Sequence, residues 1–364
     1  MTDLDYIHHA MQLALKAKGN TSPNPLVGAV IVKGNRMIAQ GWHHRCGSDH
    51  AEIIALKKAG TKAQGAKLYV TLEPCFHYGR TPPCVDKIIQ SGIKEVIVGM
   101  KDPNPLTNGK SIQKLKLSGI KTKVGFLQNE LSQMNEAFVK YQKTRMPFVV
   151  AKCAQTLDGK IATATGQSQW ITSVKTRAFA RGLRNDFDAI LVGINTVLKD
   201  NPGLNAERQI KPIRKIILDS SLQISISAKL FSDTQPSQCI VATTAQASAK
   251  KIKFFQNKGV HVIICPEKDA RIDLKWLFKE LAKLEIISIL IEGGATVIGS
   301  ALKENLVDKM HFYLAPKIIG DQTALNSVVG FKINNVNQAV SLENLTLKKI
   351  DKDIFITAYV HRHH

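Results

Sequence analysis

The chain has 364 residues, 44% hydrophobic and 22% charged, which is the composition of ordinary globular protein and enough length for two packed cores. Lys and Arg outnumber Asp and Glu 50 to 29, a net charge of +21 carried by scattered lysines without a long basic block; it suits a phosphorylated small substrate, a nucleic acid or a merely basic surface, and selects none of them. No apolar run reaches the ~18 residues of a membrane span, the acidic start Met1-Thr2-Asp3-Leu4-Asp5 is unlike a secretory signal, and six scattered cysteines are too sparse for a disulfide scaffold, so a cytoplasmic protein away from membranes is expected.

In chain order, Ile7, Ala10, Met11, Ala14 and Leu15 recur at the spacing of one helical face and predict a helix over 4–17, stopped by Gly19-Asn20. Runs at 27–32 and 37–42 flank Lys33-Gly34-Asn35-Arg36 and predict a hairpin. The elements then alternate: helix 51–59, strand 67–72, helix 84–91, strand 95–100, helix 110–118, strand 120–125 and helix 128–143. Such alternation predicts a mostly parallel sheet covered on both faces. A boundary falls near Thr144-Arg145-Met146-Pro147-Phe148, giving domains 1–145 and 146–364. The second has strand-like runs at 148–153, 188–193, 214–218, 238–243, 259–264, 286–291, 308–314 and 354–360, with helices at 174–184, 245–257, 274–284 and 296–304, and reads as a second α/β domain.

The chemistry of the first half lies in His50-Ala51-Glu52, Glu73-Pro74-Cys75 and Pro82-Pro83-Cys84. One imidazole and two thiolates hold Zn²⁺ at three corners of a tetrahedron and leave the fourth for water, the arrangement of a catalytic site. Glu52, two residues after His50, is placed to carry protons without ligating the ion. His-x-Glu followed by Pro-Cys and Cys is the signature of zinc-dependent deaminases of amino-substituted pyrimidine or purine rings. Eight residues rather than two separate Cys75 from Cys84, and this loop carries His77, Gly79, Arg80 and Thr81. His50 and Cys84 each open a predicted helix and Cys75 follows a predicted strand, so the three are expected at the carboxyl edge of the sheet, facing helix N-termini that favour thiolate. Asn24, His43, His44 and His77 are further candidates for the pocket wall, each against the plainer reading of a satisfied surface or core residue. Cys46, Cys153, Cys239 and Cys265 read as small buried hydrophobes.

In the second half, strand 286–291 runs into Glu292-Gly293-Gly294-Ala295-Thr296, which is either a phosphate-binding strand–helix turn or a plain tight turn; it is not the GxGxxG fingerprint of a Rossmann domain. Polar clusters also sit at Lys152, Thr156-Leu157-Asp158-Gly159-Lys160, Ser168-Gln169-Trp170-Ile171-Thr172-Ser173, Gly193-Ile194-Asn195-Thr196-Val197 and Asp200-Asn201-Pro202. Each alone is ordinary turn and cap chemistry; their number points to a binding cleft.

Taken together, His50-Ala51-Glu52, the segment from Glu73 to Cys84 with its long spacer, Gly166-Gln167-Ser168-Gln169-Trp170-Ile171-Thr172 and Asp200-Asn201-Pro202 resemble the bifunctional riboflavin-biosynthesis family, with an N-terminal deaminase and a C-terminal reductase. The resemblance covers nearly the whole chain. It implies a cytidine-deaminase-like α/β/α sandwich followed by a dihydrofolate-reductase-like α/β domain. It also implies one Zn²⁺ per chain, NADPH, a small phosphorylated pyrimidine as substrate with no nucleic acid or membrane as partner, and a homo-oligomer, dimer or tetramer. The implied reactions are deamination of 2,5-diamino-6-(5-phosphoribosylamino)pyrimidin-4-one and reduction of the product's ribosyl group to ribityl. By the same resemblance Glu52, Lys152 and Glu292 are catalytic. Ser168, Arg184, Leu204, Arg208 and Glu292 contact substrate, with Arg208 one residue out of the family's usual spacing. Ala154, Trp170, Thr196, Asp200, Ser221, Gly293 and Gly294 lie on the cofactor side.

Two rival readings share the metal residues. One is a nucleic-acid base deaminase, against which stand the long cysteine spacer and the lack of a basic-aromatic pattern in the second half. The other is a closed structural zinc site, which requires a fourth protein ligand such as Cys46 or His77.

Overall fold

The structure, a computed structural model, describes residues 1–76 and 83–361, and the chain divides into two compact units, Met1–Met146 and Pro147–His364. The first contains α1 (Asp3–Leu15), β1 (Gly28–Lys33), β2 (Arg36–Trp42), α2 (Ala51–Ala59), β3 (Lys67–Leu72), α3 (Cys84–Gln90), β4 (Glu95–Met100), α4 (Lys110–Leu117), β5 (Lys121–Val124), α5 (Gln128–Met134) and α6 (Glu136–Thr144). Thr2 caps α1 through a reciprocal pair with Asp5, and the buried stripe Tyr6, Ile7, Ala10, Leu13 and Ala14 packs on the sheet. The packing is close: a Cβ on Gly28 of β1 would come within 1.9 Å of the Ala10 carbonyl oxygen, so only glycine fits there.

The five strands lie in the order β2-β1-β3-β4-β5. β3, β4 and β5 are parallel, whereas β1 is antiparallel to both of its neighbours, so the sheet is mixed rather than mostly parallel. The cause is topological. β2 and β3 run the same way with α2 between them in the chain, and the hairpin partner β1 occupies the slot between the two. β3 and β4 are buried along almost their whole length, as central strands should be, and at about 1.5–3 kcal/mol per buried aliphatic side chain they make a firm floor for whatever sits at their carboxyl ends. The helix expected over 128–143 is broken at Asn135, whose side-chain amide turns away from the helix to accept from Leu26 N at 2.8 Å and donate to Leu26 O at 3.1 Å.

The second unit contains β6 (Phe148–Thr156), β7 (Lys160–Ala162), α7 (Val174–Leu183), β8 (Ala189–Gly193), α8 (Ile194–Asp200), β9 (Arg214–Leu218), α9 (Lys229–Ser232), β10 (Cys239–Thr243), α10 (Ala249–Asn257), β11 (His261–Ile264), β12 (Glu267–Lys268), β13 (Arg271–Ile272), α11 (Leu274–Lys283), β14 (Ser288–Gly293), α12 (Ala295–Lys303), β15 (Lys309–Ala315), β16 (Leu325–Asn326), β17 (Leu342–Ile350) and β18 (Asp353–Val360). Its main sheet has nine strands in the order β11-β10-β9-β8-β14-β6-β15-β18-β17, parallel from β11 to β15 and antiparallel at β18 and β17. β17 escapes the sequence pattern because it is an edge strand, exposed through its middle, with no core face to impose alternation. β6 and β14, the first and a late strand of the unit, lie side by side at the centre, which brings Lys152 and Glu292, far apart in the chain, to one sheet edge.

Candidate active sites

In the first unit His50 is the N-cap of α2, Cys84 the first residue of α3, and Cys75 lies three residues beyond β3. Their ligand atoms all lie within 4.8 Å of one another. His50 Nδ1 is 3.1 Å from Cys84 Sγ and 3.6 Å from Cys75 Sγ, against about 3.6 Å between two corners of a tetrahedral N/S zinc site. The donor set and its spacing therefore fit zinc. Among the described residues no fourth His, Cys, Asp or Glu joins the group; Cys46 is outside it, and His77 lies outside the described residues together with Tyr78, Gly79, Arg80, Thr81 and Pro82.

The electrostatics favour thiolate and a mobile proton. Cys75 is pulled down to about 4 by the hydrogen bond from the Cys84 thiol, against its own burial, with further help from His50 and the Cys84 N–H. Cys84, fully buried, is pushed up by that same shared proton and by desolvation. Burial raises Glu52 to about 7, partly offset by the attraction of His50, which leaves a carboxyl that exchanges protons near neutrality. His43 is buried and neutral: its Nδ1–H donates to the Asp49 carbonyl at 3.1 Å, so Nε2 accepts from Asn24 Nδ2 at 3.1 Å, and its ring meets His50 edge-on at 5.3 Å. Asn24 and His43 are thus beside the cluster, while exposed His44 lies on the Trp42 ring.

Glu73 carries more than its place in Glu-Pro-Cys suggested. Its buried carboxylate accepts from three backbone N–H groups, Asp102 at 3.2 Å, Gly109 at 2.9 Å and Ile112 at 3.4 Å, and so ties the loop after β4 to the turn that bears Cys75. No local signal could have shown this, because the donors are 29 to 39 residues away.

In the second unit, β14 and β6 pair with Ile291 opposite Ala151, which sets Glu292 beside Lys152; their Oε2 and Nζ are 4.0 Å apart. Arg184, following α7, grips Glu292 with two hydrogen bonds, Nε to Oε1 at 2.6 Å and Nη2 to Oε2 at 2.8 Å. Burial alone would raise the Glu292 carboxyl, but the charge and hydrogen bonds of Arg184 outweigh it and hold the group at about 2. A carboxyl whose folded value lies below its ordinary 4.5 adds stability that is complete above pH 4.5 and lost as the pH falls through about 2. Acid unfolding of the wild type followed by circular dichroism should therefore show a loss of a few kcal/mol across that window, and Glu292→Gln should flatten it; an identical acid profile in the variant would remove the pair from the pH dependence.

Around this pair, Ala154 lies on the same face of β6 as Lys152, opposite Tyr313 of β15. Thr196, in the first turn of α8, faces the Gly293-Gly294 turn: a Cβ on Gly293 would come within 3.2 Å of Thr196 Oγ1 and one on Gly294 within 3.7 Å, so the turn between β14 and α12 approaches α8 closely. The turn opens the nine-residue helix α12, whose N-terminus carries positive partial charge.

Residues 147–356 match the RibD C-terminal domain, and residues 1–100 match the cytidine and deoxycytidylate deaminase zinc-binding region. Riboflavin biosynthesis protein RibD of Aquifex aeolicus is 42% identical over 357 residues, 97% of this chain and 97% of that protein, and its Actinobacillus pleuropneumoniae counterpart is 40% identical over 98% of this chain and 95% of that one. The chain belongs to the RibD family. Among solved RibD structures, that of Acinetobacter baumannii in form 1 superposes with a TM-score of 0.90 at 34% identity, covering 99% of both chains. The Thermotoga maritima diaminohydroxyphosphoribosylaminopyrimidine deaminase/5-amino-6-(5-phosphoribosylamino)uracil reductase does so with 0.84, also at 34% and 99% of both. The fold is accordingly a cytidine-deaminase-like unit followed by a RibD reductase unit, and the chain is a bifunctional deaminase–reductase of riboflavin biosynthesis.

Set against this RibD framework, the structure gathers some of the sequence-identified residues and scatters others. His50, Cys75, Cys84 and Glu52 converge, as do Lys152, Ala154, Arg184 and Glu292, and separately Thr196, Gly293 and Gly294. Trp170 is 60% exposed, with the Arg177 guanidinium 4.1 Å over its ring, and half-buried Ser168 lies two residues before it. Asp200 is exposed at the end of α8, and Ser221, past the end of β9, accepts from Gln223 Nε2 at 3.0 Å. Arg184, a substrate contact by the resemblance, directs its guanidinium hydrogen bonds to Glu292 and to the Asn205 carbonyl. The Leu204 side chain is packed into the core with Ile190 and Ile217, so only its backbone is left to meet a ligand, and Arg208 is exposed with its carbonyl held by Asn185 Nδ2 at 2.8 Å. Cys153, Cys239 and Cys265 are buried, and Cys46 is half-buried. No helix among the described residues is long and apolar enough to cross a membrane.

Proposed function

We propose that the first unit holds one zinc ion on His50, Cys75 and Cys84 and hydrolytically deaminates 2,5-diamino-6-(5-phosphoribosylamino)pyrimidin-4-one to 5-amino-6-(5-phosphoribosylamino)uracil, and that the second unit reduces the ribosyl group of that product to ribityl with NADPH. The observation that carries the first step is the convergence of one imidazole and two thiols within 4.8 Å beside a buried carboxyl raised to about 7. Zinc bound there supplies a Lewis acid and lowers the pKa of water toward neutrality. Glu52 takes the proton given up by the water that attacks ring C2 and delivers it to the ring nitrogen; it then takes the remaining hydroxyl proton at C2 and passes it to the amino group, which leaves as ammonia as the C2 carbonyl forms. The N-termini of α2 and α3 place positive partial charge at His50 and Cys84 and stabilise the thiolates.

For the second step NADPH supplies the hydride when bound. The Lys152 ammonium is the group beside Glu292 able to give a proton to the oxygen or nitrogen at the sugar's C1 as that carbon is reduced. Arg184 keeps Glu292 ionised, so a fixed negative charge faces Lys152 throughout. In this reading Thr196, Gly293 and Gly294, with Ala154, Trp170, Asp200 and Ser221, lie on the cofactor side, and the small phosphorylated pyrimidine lies on the side of Ser168, Leu204 and Arg208. The test starts from the diaminopyrimidine nucleotide and follows ammonia, NADPH and zinc content together. Cys84→Ser should lose zinc and ammonia release yet oxidise NADPH normally when given the deaminated intermediate; loss of both activities would show that the two sites do not work separately.

A further inference from the structure

Lys215 lies within β9 between Ile190 of β8 and Cys239 of β10, and only 2% of it is exposed. An ammonium in such a place is costly to bury, and a hydrophobic side chain of the same length would be as stable or more so. Its Nζ donates a hydrogen bond to Asn205 Oδ1 at 2.8 Å. Asn205 is fixed on two further sides. Its Nδ2 donates to Asp233 Oδ2 at 3.4 Å, and its backbone carbonyl accepts from Nη1 of Arg184, the same guanidinium that holds Glu292 beside Lys152.

The chain around Asn205 is built to be held in one place. Gly203 packs against the Asp233 carboxylate, with a Cβ there coming within 2.4 Å of Oδ2, and Leu204 adopts φ 54° with its side chain sunk in the core. Leu204 thus anchors the segment from below, and Lys215 and Asp233 fix the next residue from the side.

We propose that Lys215 is a positioning residue for the reduction: through Asn205 it fixes the backbone of residues 204–208 and supplies the third anchor of Arg184, so that Glu292 stays in register with Lys152. The inference rests on the reading of Arg184, Glu292 and residues 204–208 as the reductase site. It explains why a cation is retained where packing alone favours an apolar side chain. Lys215 itself touches neither substrate nor cofactor.

Lys215→Met, which preserves volume, separates this role from a structural one. The expected result is a melting temperature no lower than wild type, unchanged ammonia release, and a KM for the deaminated nucleotide raised about tenfold, with the KM for NADPH within about twofold of wild type. Asn205→Ala should give the same split, and the double variant should be no worse than either single one, because both break one link. A wild-type nucleotide KM in Lys215→Met, or additive losses in the double variant, would overturn the proposal, and the half-buried Asn205→Ala reads out the link even if Lys215→Met folds poorly. Glu292→Gln is measured alongside. If it reduces the nucleotide normally, the reading of the site fails; if it is inactive while Lys215→Met and Asn205→Ala behave as wild type, only the role of Lys215 fails.

Discussion

Glu52→Gln is expected to slow ammonia release by about 10²–10⁴-fold, the usual contribution of a positioned proton carrier, while zinc stays bound at one ion per chain. The amide is close to isosteric, so His50, Cys75 and Cys84 keep their places, but it cannot accept a proton from water or return one to the leaving nitrogen. Buried Glu52 is suited to both transfers because desolvation brings it to about 7. The variant also decides between a catalytic and a closed structural metal site. In a closed site both zinc and activity survive the change, whereas loss of zinc in Glu52→Gln would mean that the carboxyl helps to hold the ion rather than to move protons. Reduction of the deaminated intermediate should proceed at the wild-type rate, since Glu52 belongs to the first unit.

Lys152→Ala should do the reverse. Its ammonium is the cation 4.0 Å from Glu292 on the neighbouring strand, and removing it takes away the proton for the reduced sugar at a cost of about 10²–10⁴-fold in kcat. Glu292 keeps Arg184 as its partner through two hydrogen bonds, so the variant leaves a compensated carboxylate rather than a bare buried charge, and folding should be little affected. The measurement is single-turnover NADPH oxidation with the deaminated nucleotide, with ammonia release from the diaminopyrimidine nucleotide as the internal control. An unchanged oxidation rate would take Lys152 out of the chemistry.

Much of the first site is legible in the sequence. His50, Glu52, Cys75 and Cys84 announce themselves because metal ligation restricts residue type tightly, and because a His at the start of one helix and a Cys at the start of another are placed by the local pattern. The second site was less legible. Nothing about Arg184 in the sequence says whether its guanidinium meets a phosphate or a carboxylate; that depends on Glu292, 108 residues further on, arriving on the adjacent strand. Lys215 went unnoticed because a lysine in a short strand reads as a solvated face, and its burial follows only from the parallel strands on both sides. Asn135 falls within a helical pattern in the sequence, yet its amide breaks the helix to hold Leu26, 109 residues earlier.

What the amino-acid order determined alone was local: strand and helix periodicity, the Gly and Pro stops, the zinc-type donor set and the proton carrier two residues from the imidazole. Hydrophobic alternation and ligand chemistry act over a few residues and survive without knowledge of the fold. Only the tertiary structure decided the mixed direction of the first sheet, the tie from Glu73 to the loop after β4, and the series Lys215, Asn205, Arg184, Glu292. Those bonds join residues that meet only when strand order and register are fixed, and a buried polar group takes the partner that geometry delivers rather than the one its neighbours in the chain suggest.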